Sequence, residues 1–103
     1  MNNFLVTLTE LAQDDLISSE AFYEKQAEGL GEYFRDSIIV DLDALVFYGG
    51  IHQKYFGYYR MLAKRFPYAI YYDVIDSTVV VHAILDTRKN PSWTYERLER
   101  KSI

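Results

Sequence analysis

The chain has 103 residues, half of which are apolar, and it contains no cysteine. This length predicts a single domain, residues 1–103, with enough apolar side chains to form one core without a metal or disulfide. The absence of cysteine excludes disulfides, thiolate nucleophiles and zinc-thiolate sites, and it fits a reducing compartment such as the cytoplasm.

The charged residues are unevenly distributed along the chain. Residues 1–47 hold ten acidic and two basic side chains, a net charge of −8, whereas residues 48–103 hold nine basic and five acidic ones, a net charge of +4. This asymmetry favours an anionic partner for the second half, although solvated helix faces alone are also often acidic. No segment resembles a secretion signal or reaches the roughly 20 apolar residues of a membrane helix, so we expect a cytoplasmic protein without membrane contact.

The first predicted element is a short strand over residues 3–8, which are rich in β-branched and aromatic side chains. Thr9 then serves as the cap of a helix that runs to about Glu28. Two glycines interrupt the helical pattern, and a second helix follows over residues 32–47. Because the connection is short, the two helices are expected to form an antiparallel hairpin.

Three strand-like runs follow, beginning at Tyr58, Tyr68 and Thr78. Only Asp76 and Ser77 separate the second run from the third, which is too short for a parallel crossover, so these strands are predicted to be antiparallel. A terminal helix is indicated by Asn90 as its cap, with Pro91 at its first position, and extends to Lys101. The predicted fold class is α+β with two layers, β-α-α-β-β-β, in which a helical hairpin covers one face of an antiparallel sheet and a short C-terminal helix follows.

The last strand-like run suggests which face of the sheet lies under the helices. One alternating set is uniformly apolar and is predicted to face them: Val79, Val81, Ala83 and Leu85. The other set mixes polar with apolar residues and is predicted to face outward: Val80, His82, Ile84, Asp86 and Arg88. On the run 58–63 and the residue that follows it, the outward set is Tyr58, Arg60, Leu62 and Lys64. Over residues 68–75 both sets are aromatic, so alternation does not say which face is exposed.

The sequence contains few groups suited to catalysis. No serine lies in a Gly-x-Ser-x-Gly motif. His82 and Asp86 fall on one face of a strand but are about 13 Å apart at the usual strand rise, too far to share an ion, so no metal and no cofactor is predicted. The remaining candidates are basic residues that can bind phosphate or a protein partner, or can simply be solvated strand ends. They are Arg60, Lys64, Arg65, Arg88 and Lys89, with His82 on the same predicted face.

Several segments resemble the RelE/ParE family, the toxins of type II toxin–antitoxin (plasmid stabilisation) modules. The resemblance rests on "AFYEKQAEGLGEYF", "LAKRFPYAIYY" and "DTRKNP", and it covers most of residues 4–91. It implies a RelE-like sheet whose first strand lies beside the last. It also implies a cognate antitoxin that wraps and neutralises the toxin, which is then a monomer or part of a toxin–antitoxin hetero-oligomer.

Two activities occur in that family, and the resemblance assigns residues to each. Ribosome-dependent cleavage of mRNA would use Arg60, Lys64, Lys89 and Tyr95 as catalytic residues, but the arginine that this branch carries on the next strand falls on Ala69. The ParE-like branch, which includes proteins that poison DNA gyrase by binding, commonly has histidine at the position of Asp86. A missing cation and an added carboxylate both disfavour phosphate chemistry.

The segments are nearer the ParE-like branch, so the sequence favours a toxin that acts by binding, with DNA gyrase or the ribosome and its mRNA as candidate targets. The alternatives are a RelE-type endoribonuclease on the same fold and an inactive relative that serves as a protein-binding module.

Overall fold

The computed structural model of the protein describes residues 3–100. Strands and helices follow one another in the predicted order, with one additional two-residue strand. Their bounds are β1 Leu5–Leu8, α1 Glu10–Gln26, α2 Leu30–Tyr48, β2 Lys54–Tyr55, β3 Tyr58–Leu62, β4 Tyr68–Ile75, β5 Thr78–Asp86 and α3 Pro91–Glu99. Lys101, the predicted end of the terminal helix, lies outside the described residues. None of the helices within residues 3–100 has the length and apolar character needed to span a bilayer.

The junction between α1 and α2 explains the glycines in this part of the sequence. Gly29 has φ +84°, a left-handed conformation that suits glycine. A Cβ on Gly31 would lie 2.6 Å from the carbonyl oxygen of Glu20, so only glycine allows this close approach of the two helices. The Glu24 carboxylate accepts the backbone N–H of both glycines at 3.0 Å. These contacts hold α1 and α2 as the predicted hairpin.

The five strands form one sheet in the order β1-β5-β4-β3-β2. The predicted pairing of the first strand beside the last is confirmed. The sheet is mixed rather than wholly antiparallel, because β1 runs parallel to β5 whereas every other pair is antiparallel. The helical hairpin carries the chain from β1 at one edge of the sheet to β2 at the other edge. Because no tight turn joins β1 to β5, these two strands can run parallel.

A β-bulge at His82 corrects the predicted faces of β5. Val81 pairs with Tyr72 and Ala83 with Tyr71, so His82 has no residue opposite it in the ladder. The extra residue reverses the alternation. Val79 and Val81 lie under the hairpin as predicted, but Ala83 and Leu85 lie on the opposite face, and Ile84, predicted to face outward, is on the hairpin side.

Two apolar cores therefore lie on the two faces of the sheet. The larger one is formed with the hairpin, and its fully buried side chains include Phe34, Ile38, Leu45, Ile70 and Tyr72. The smaller one lies on the second face, which was expected to be open, and α3 covers part of it. It consists of Tyr58, Ala69, Tyr71, Ala83, Leu85 and Leu98. Tyr58 is therefore buried rather than exposed.

Candidate functional site

The turn between β3 and β4 and the segment after β5 lie at the same end of the sheet. The backbone N–H and the hydroxyl of Thr87 both donate to the Pro67 carbonyl, at 2.8 and 2.9 Å. The fold thus places four of the predicted basic residues at this end: Lys64, Arg65, Arg88 and Lys89. The other two predicted residues, Arg60 and His82, lie within strands.

Arg88 is bound by the carboxylate two positions before it. Its Nε lies 3.0 Å from Oδ1 of Asp86, one terminal nitrogen lies 2.8 Å from Oδ2, and its backbone N–H donates to Oδ1 at 2.8 Å. The hydrogen bonds from the Arg88 side chain lower the pKa of Asp86, and Asp86 in turn raises the pKa of Arg88. Asp86 therefore neutralises Arg88, and the neighbouring Lys89 remains available to an anion.

Lys64 anchors its turn through the backbone rather than through its amine. Its N–H donates to Oδ2 of Asp41, a buried residue of α2, at 3.2 Å. Burial raises the pKa of Asp41, although the hydrogen bond from Lys64 and the nearby charges of Lys64 and Arg65 act in the opposite direction. Asp41 thus fixes the turn, and both basic side chains are exposed.

Arg60 and Tyr95, the other residues assigned to a ribonuclease, each contact a close neighbour. The Arg60 guanidinium lies 3.7 Å from the centre of the Tyr55 ring, in a cation–π contact. The Tyr95 hydroxyl donates to Glu99 at 3.0 Å, and this hydrogen bond raises the pKa of Tyr95. The Tyr95 ring lies edge-on to Phe56, with 5.6 Å between centroids.

His82 lies at the bulge of β5, on the face of the sheet that carries the smaller core. Its Nε2 is 3.1 Å from Oδ2 of Asp73, and its ring centroid is 5.0 Å from that of Tyr58. A histidine paired with a carboxylate can act as a general base where a substrate reaches it. Here the pair is partly buried within the sheet. Among residues 3–100, no three metal-ligating side chains are grouped so as to hold an ion.

Ala69 stands at the position of the arginine that the ribonuclease resemblance implies, and its surroundings leave no room for that side chain. The residue is fully buried in the smaller core, where its Cα pairs with those of Leu62 and Leu85. A guanidinium at this position would have to displace α3 or remain without water. The alanine therefore belongs to the packing between the sheet and α3.

The structure also contains a groove that sequence reasoning did not identify. It has a volume of about 370 Å³ and lies between α1, the end of β5 and α3. Of the predicted site residues, Lys89 contributes to it. Its other lining residues are Asp15, Ser18, Ser19, Phe22, Tyr68, Ile84, Leu85, Asp86, Trp93, Arg97 and Arg100.

An ion pair between Asp15 and the buried Arg97 forms one wall of this groove. Two guanidinium nitrogens of Arg97 lie 3.2 and 2.6 Å from the two carboxylate oxygens of Asp15. The carboxylate also accepts the backbone N–H of Ile84 at 3.0 Å, and Arg97 donates to the carbonyl of His82 at 3.1 Å. Burial raises the pKa of Asp15, while the Ile84 amide and Arg97 oppose that rise. The pair ties α1, β5 and α3 together.

No family model and no curated protein matches the sequence. A chain of the solved structure described as "Chromosomal ParDE TA system from P. aeruginosa" is similar, with a TM-score of 0.68 and 15% sequence identity. The match covers 79% of this chain and 92% of that one. At this identity the likeness concerns the fold, and it agrees with the α+β architecture expected from the resemblance. The chain therefore has a ParE-like fold.

Proposed function

We propose that this protein is the toxin of a type II toxin–antitoxin module, that a small antitoxin neutralises it, and that it acts by binding a cellular target. The likeness of its fold to a chain of a ParDE system supports the assignment to such a module. The sequence segments that resemble the ParE-like branch favour the same conclusion. DNA gyrase is the target that this branch suggests.

The observation that favours binding over catalysis is that the residues assigned to a ribonuclease contact different partners. Arg60 of β3 lies over the ring of Tyr55 in β2, Tyr95 is bound to Glu99 on α3, and Lys89 follows the end of β5. Cleavage of RNA requires a base, an acid and a cation that converge on one phosphate. Among the described residues these side chains have separate partners, which suits a surface that binds better than a centre that cleaves.

Expression of the chain alone in a bacterial host tests this proposal. We expect growth arrest with intact mRNA, and relief of the arrest when the product of the neighbouring open reading frame is co-expressed. DNA and RNA are examined separately in the arrested cells, and DNA damage would identify gyrase as the target.

The variant Lys89→Ala, with Lys54→Ala as its matched control, distinguishes the alternatives. Each lysine lies over an aromatic ring, Trp93 and Tyr59 respectively, and both are exposed. If mRNA is cut on translating ribosomes and only Lys89→Ala abolishes the cuts, the protein is a ribonuclease and the binding proposal is wrong. Normal growth on expression of the unaltered chain would instead identify an inactive relative.

A further inference from the structure

One edge of β5 is uncovered beside the groove. β1 pairs with β5 only over Thr78 to Val81, so residues 82–86 have no neighbouring strand on that side. The Thr87 N–H donates to the carbonyl of Pro67, the residue before β4, so by alternation the backbone of Leu85 faces β4. The backbone groups of Ile84 and Asp86 therefore point away from β4, toward the groove.

A side chain and a backbone amide already occupy part of this edge. Asp15 accepts the Ile84 N–H, and the carbonyl of Asp86 accepts the N–H of Lys89 at 3.3 Å. The Ile84 carbonyl and the Asp86 N–H remain, and neither has a hydrogen-bond partner among residues 3–100. Both belong to residues that line the groove.

The spacing of these two groups matches the hydrogen-bond ladder of an added strand. In a parallel ladder, a single residue of the added strand donates its N–H to one carbonyl and accepts the N–H two residues further along. The Ile84 carbonyl and the Asp86 N–H form such a pair. In an antiparallel ladder the same two groups bond the residues on either side of the one opposite Leu85, so the Ile84 N–H that Asp15 occupies is not needed there either. The open edge thus offers two backbone groups to an added strand that runs in either direction.

The charge of the groove selects the chemistry of the partner. Its two carboxylates are already paired, Asp15 with Arg97 and Asp86 with Arg88. By contrast, no carboxylate within the described part of the chain lies within ion-pairing distance of the other two cations of the groove, Lys89 and Arg100. Phe22 and Trp93 are exposed beside them and supply apolar surface. The groove is therefore complementary to a segment that combines acidic and apolar side chains.

We propose that this groove binds an extended acidic peptide segment, which adds to the sheet as a strand beside residues 84–86 of β5. The main chain of the segment bonds the Ile84 carbonyl and the Asp86 N–H, and its carboxylates approach Lys89 and Arg100. Identification of that segment as part of the antitoxin rests on the function proposed above. The binding itself does not depend on toxicity.

A labelled synthetic peptide that alternates valine with glutamate is the probe, and fluorescence anisotropy with the full chain is the measurement. We expect saturable binding tighter than about 1 mM, and at least about tenfold weaker binding of the same peptide with lysine in place of glutamate. N-methylation of the central residues removes backbone donors without changing side chains, and it should weaken binding by a similar factor. Hydrogen exchange at the Asp86 amide should slow when the peptide binds.

Charge reversal at Lys89 provides the matched comparison. Lys89→Glu should weaken binding of the glutamate peptide by about tenfold, whereas Lys54→Glu, on the far edge strand, should leave it unchanged. Absence of binding, equal binding of the lysine peptide, or an unaffected N-methylated peptide would each overturn the proposal. So would a concentration-dependent dimer that protects the Asp86 amide, because the occupant would then be a second copy of this chain. Growth arrest without peptide binding would refute the proposed peptide binding but not the toxin function. Binding without growth arrest would refute the toxin function but not the peptide binding.

Discussion

At the scale of single residues, the Tyr72 hydroxyl holds the loop that follows α2. Tyr72 is fully buried, and its oxygen accepts the N–H of Gly50 at 3.0 Å. The same hydroxyl contacts Nδ1 of His52. A neutral imidazole can accept the hydroxyl proton at Nδ1 while the Tyr72 oxygen accepts from Gly50, whereas a protonated imidazole cannot. Burial raises the pKa of Tyr72 and lowers that of His52, so both groups are held neutral near pH 7.

This arrangement predicts a loss of stability when the pH falls. The pKa of His52 is lower in the folded than in the unfolded state, so the unfolded chain binds more protons and stability rises with pH. The contribution is present above the unfolded pKa of about 6.5 and is lost progressively below it. We expect the melting temperature of the native chain to fall between pH 7.5 and pH 5.5, and to fall less in His52→Gln, where this titration is absent.

The variant His82→Gln is the control for this experiment, because it removes the other histidine and leaves the contact between His52 and Tyr72 in place. Its melting temperature should keep the share of the pH dependence that belongs to His52. If His52→Gln retained the full pH dependence of the melting temperature, the titration of His52 would not be its source.

At the scale of elements, the β2–β3 hairpin turns at an unfavourable residue. Phe56 has φ +54° and Gly57 has φ +86°, the pair of positive values found in type I′ turns. Asparagine is preferred at the first of these positions, whereas a large side chain is strained there. The exposed Phe56 ring gains a contact with Tyr95 of α3. This turn therefore gives up local stability and presents an aromatic ring at the surface.

Replacing Phe56 with asparagine should relieve this strain. We expect Phe56→Asn to raise the free energy of unfolding by about 1 kcal/mol, measured by denaturant titration. Gly57→Ala is the companion variant: an added Cβ meets no atom within 4 Å, so its expected loss of about 1 kcal/mol comes from the backbone alone. A less stable Phe56→Asn would mean that the contact with Tyr95 outweighs the strain.

The elements differ in how well the sequence predicts them. β4 spans the predicted residues 68–75, because most of its side chains are aromatic or β-branched and turn residues flank it. The bulge at His82 could not be predicted, since alternation assumes one residue per position. β2 has only two residues, too few for a periodic signal.

The candidate site divides in the same way. Lys89 could be identified because it is a basic residue just beyond a strand. The groove could not, because it depends on an ion pair between residues 82 positions apart, which has no local signature. The exposed edge of β5 likewise depends on where β1 ends, and this follows from the packing of the whole sheet rather than from either strand.

At the scale of the whole molecule, β4 and β5 connect the two cores. Ile70, Tyr72, Val79 and Val81 face the hairpin, whereas Ala69, Tyr71, Ala83 and Leu85 face α3. Because consecutive residues of the same two strands pack into different cores, loosening one core disturbs the backbone of the other. Small domains of this size usually unfold in one step. The short α3 should therefore unfold together with the sheet rather than before it.

Truncation of one side chain in each core tests this coupling. Leu98→Ala on α3 and Ile38→Ala on α2 should each lower the free energy of unfolding by about 3 kcal/mol, because both side chains are almost wholly buried. Trp93, the single tryptophan, lies on α3, so its fluorescence reports on that helix, while far-ultraviolet circular dichroism reports on the whole chain. In both variants the two signals should change at the same denaturant concentration. An earlier change of fluorescence in Leu98→Ala would show that α3 separates from an intact sheet, and that wall of the groove would then be a mobile element rather than a fixed one.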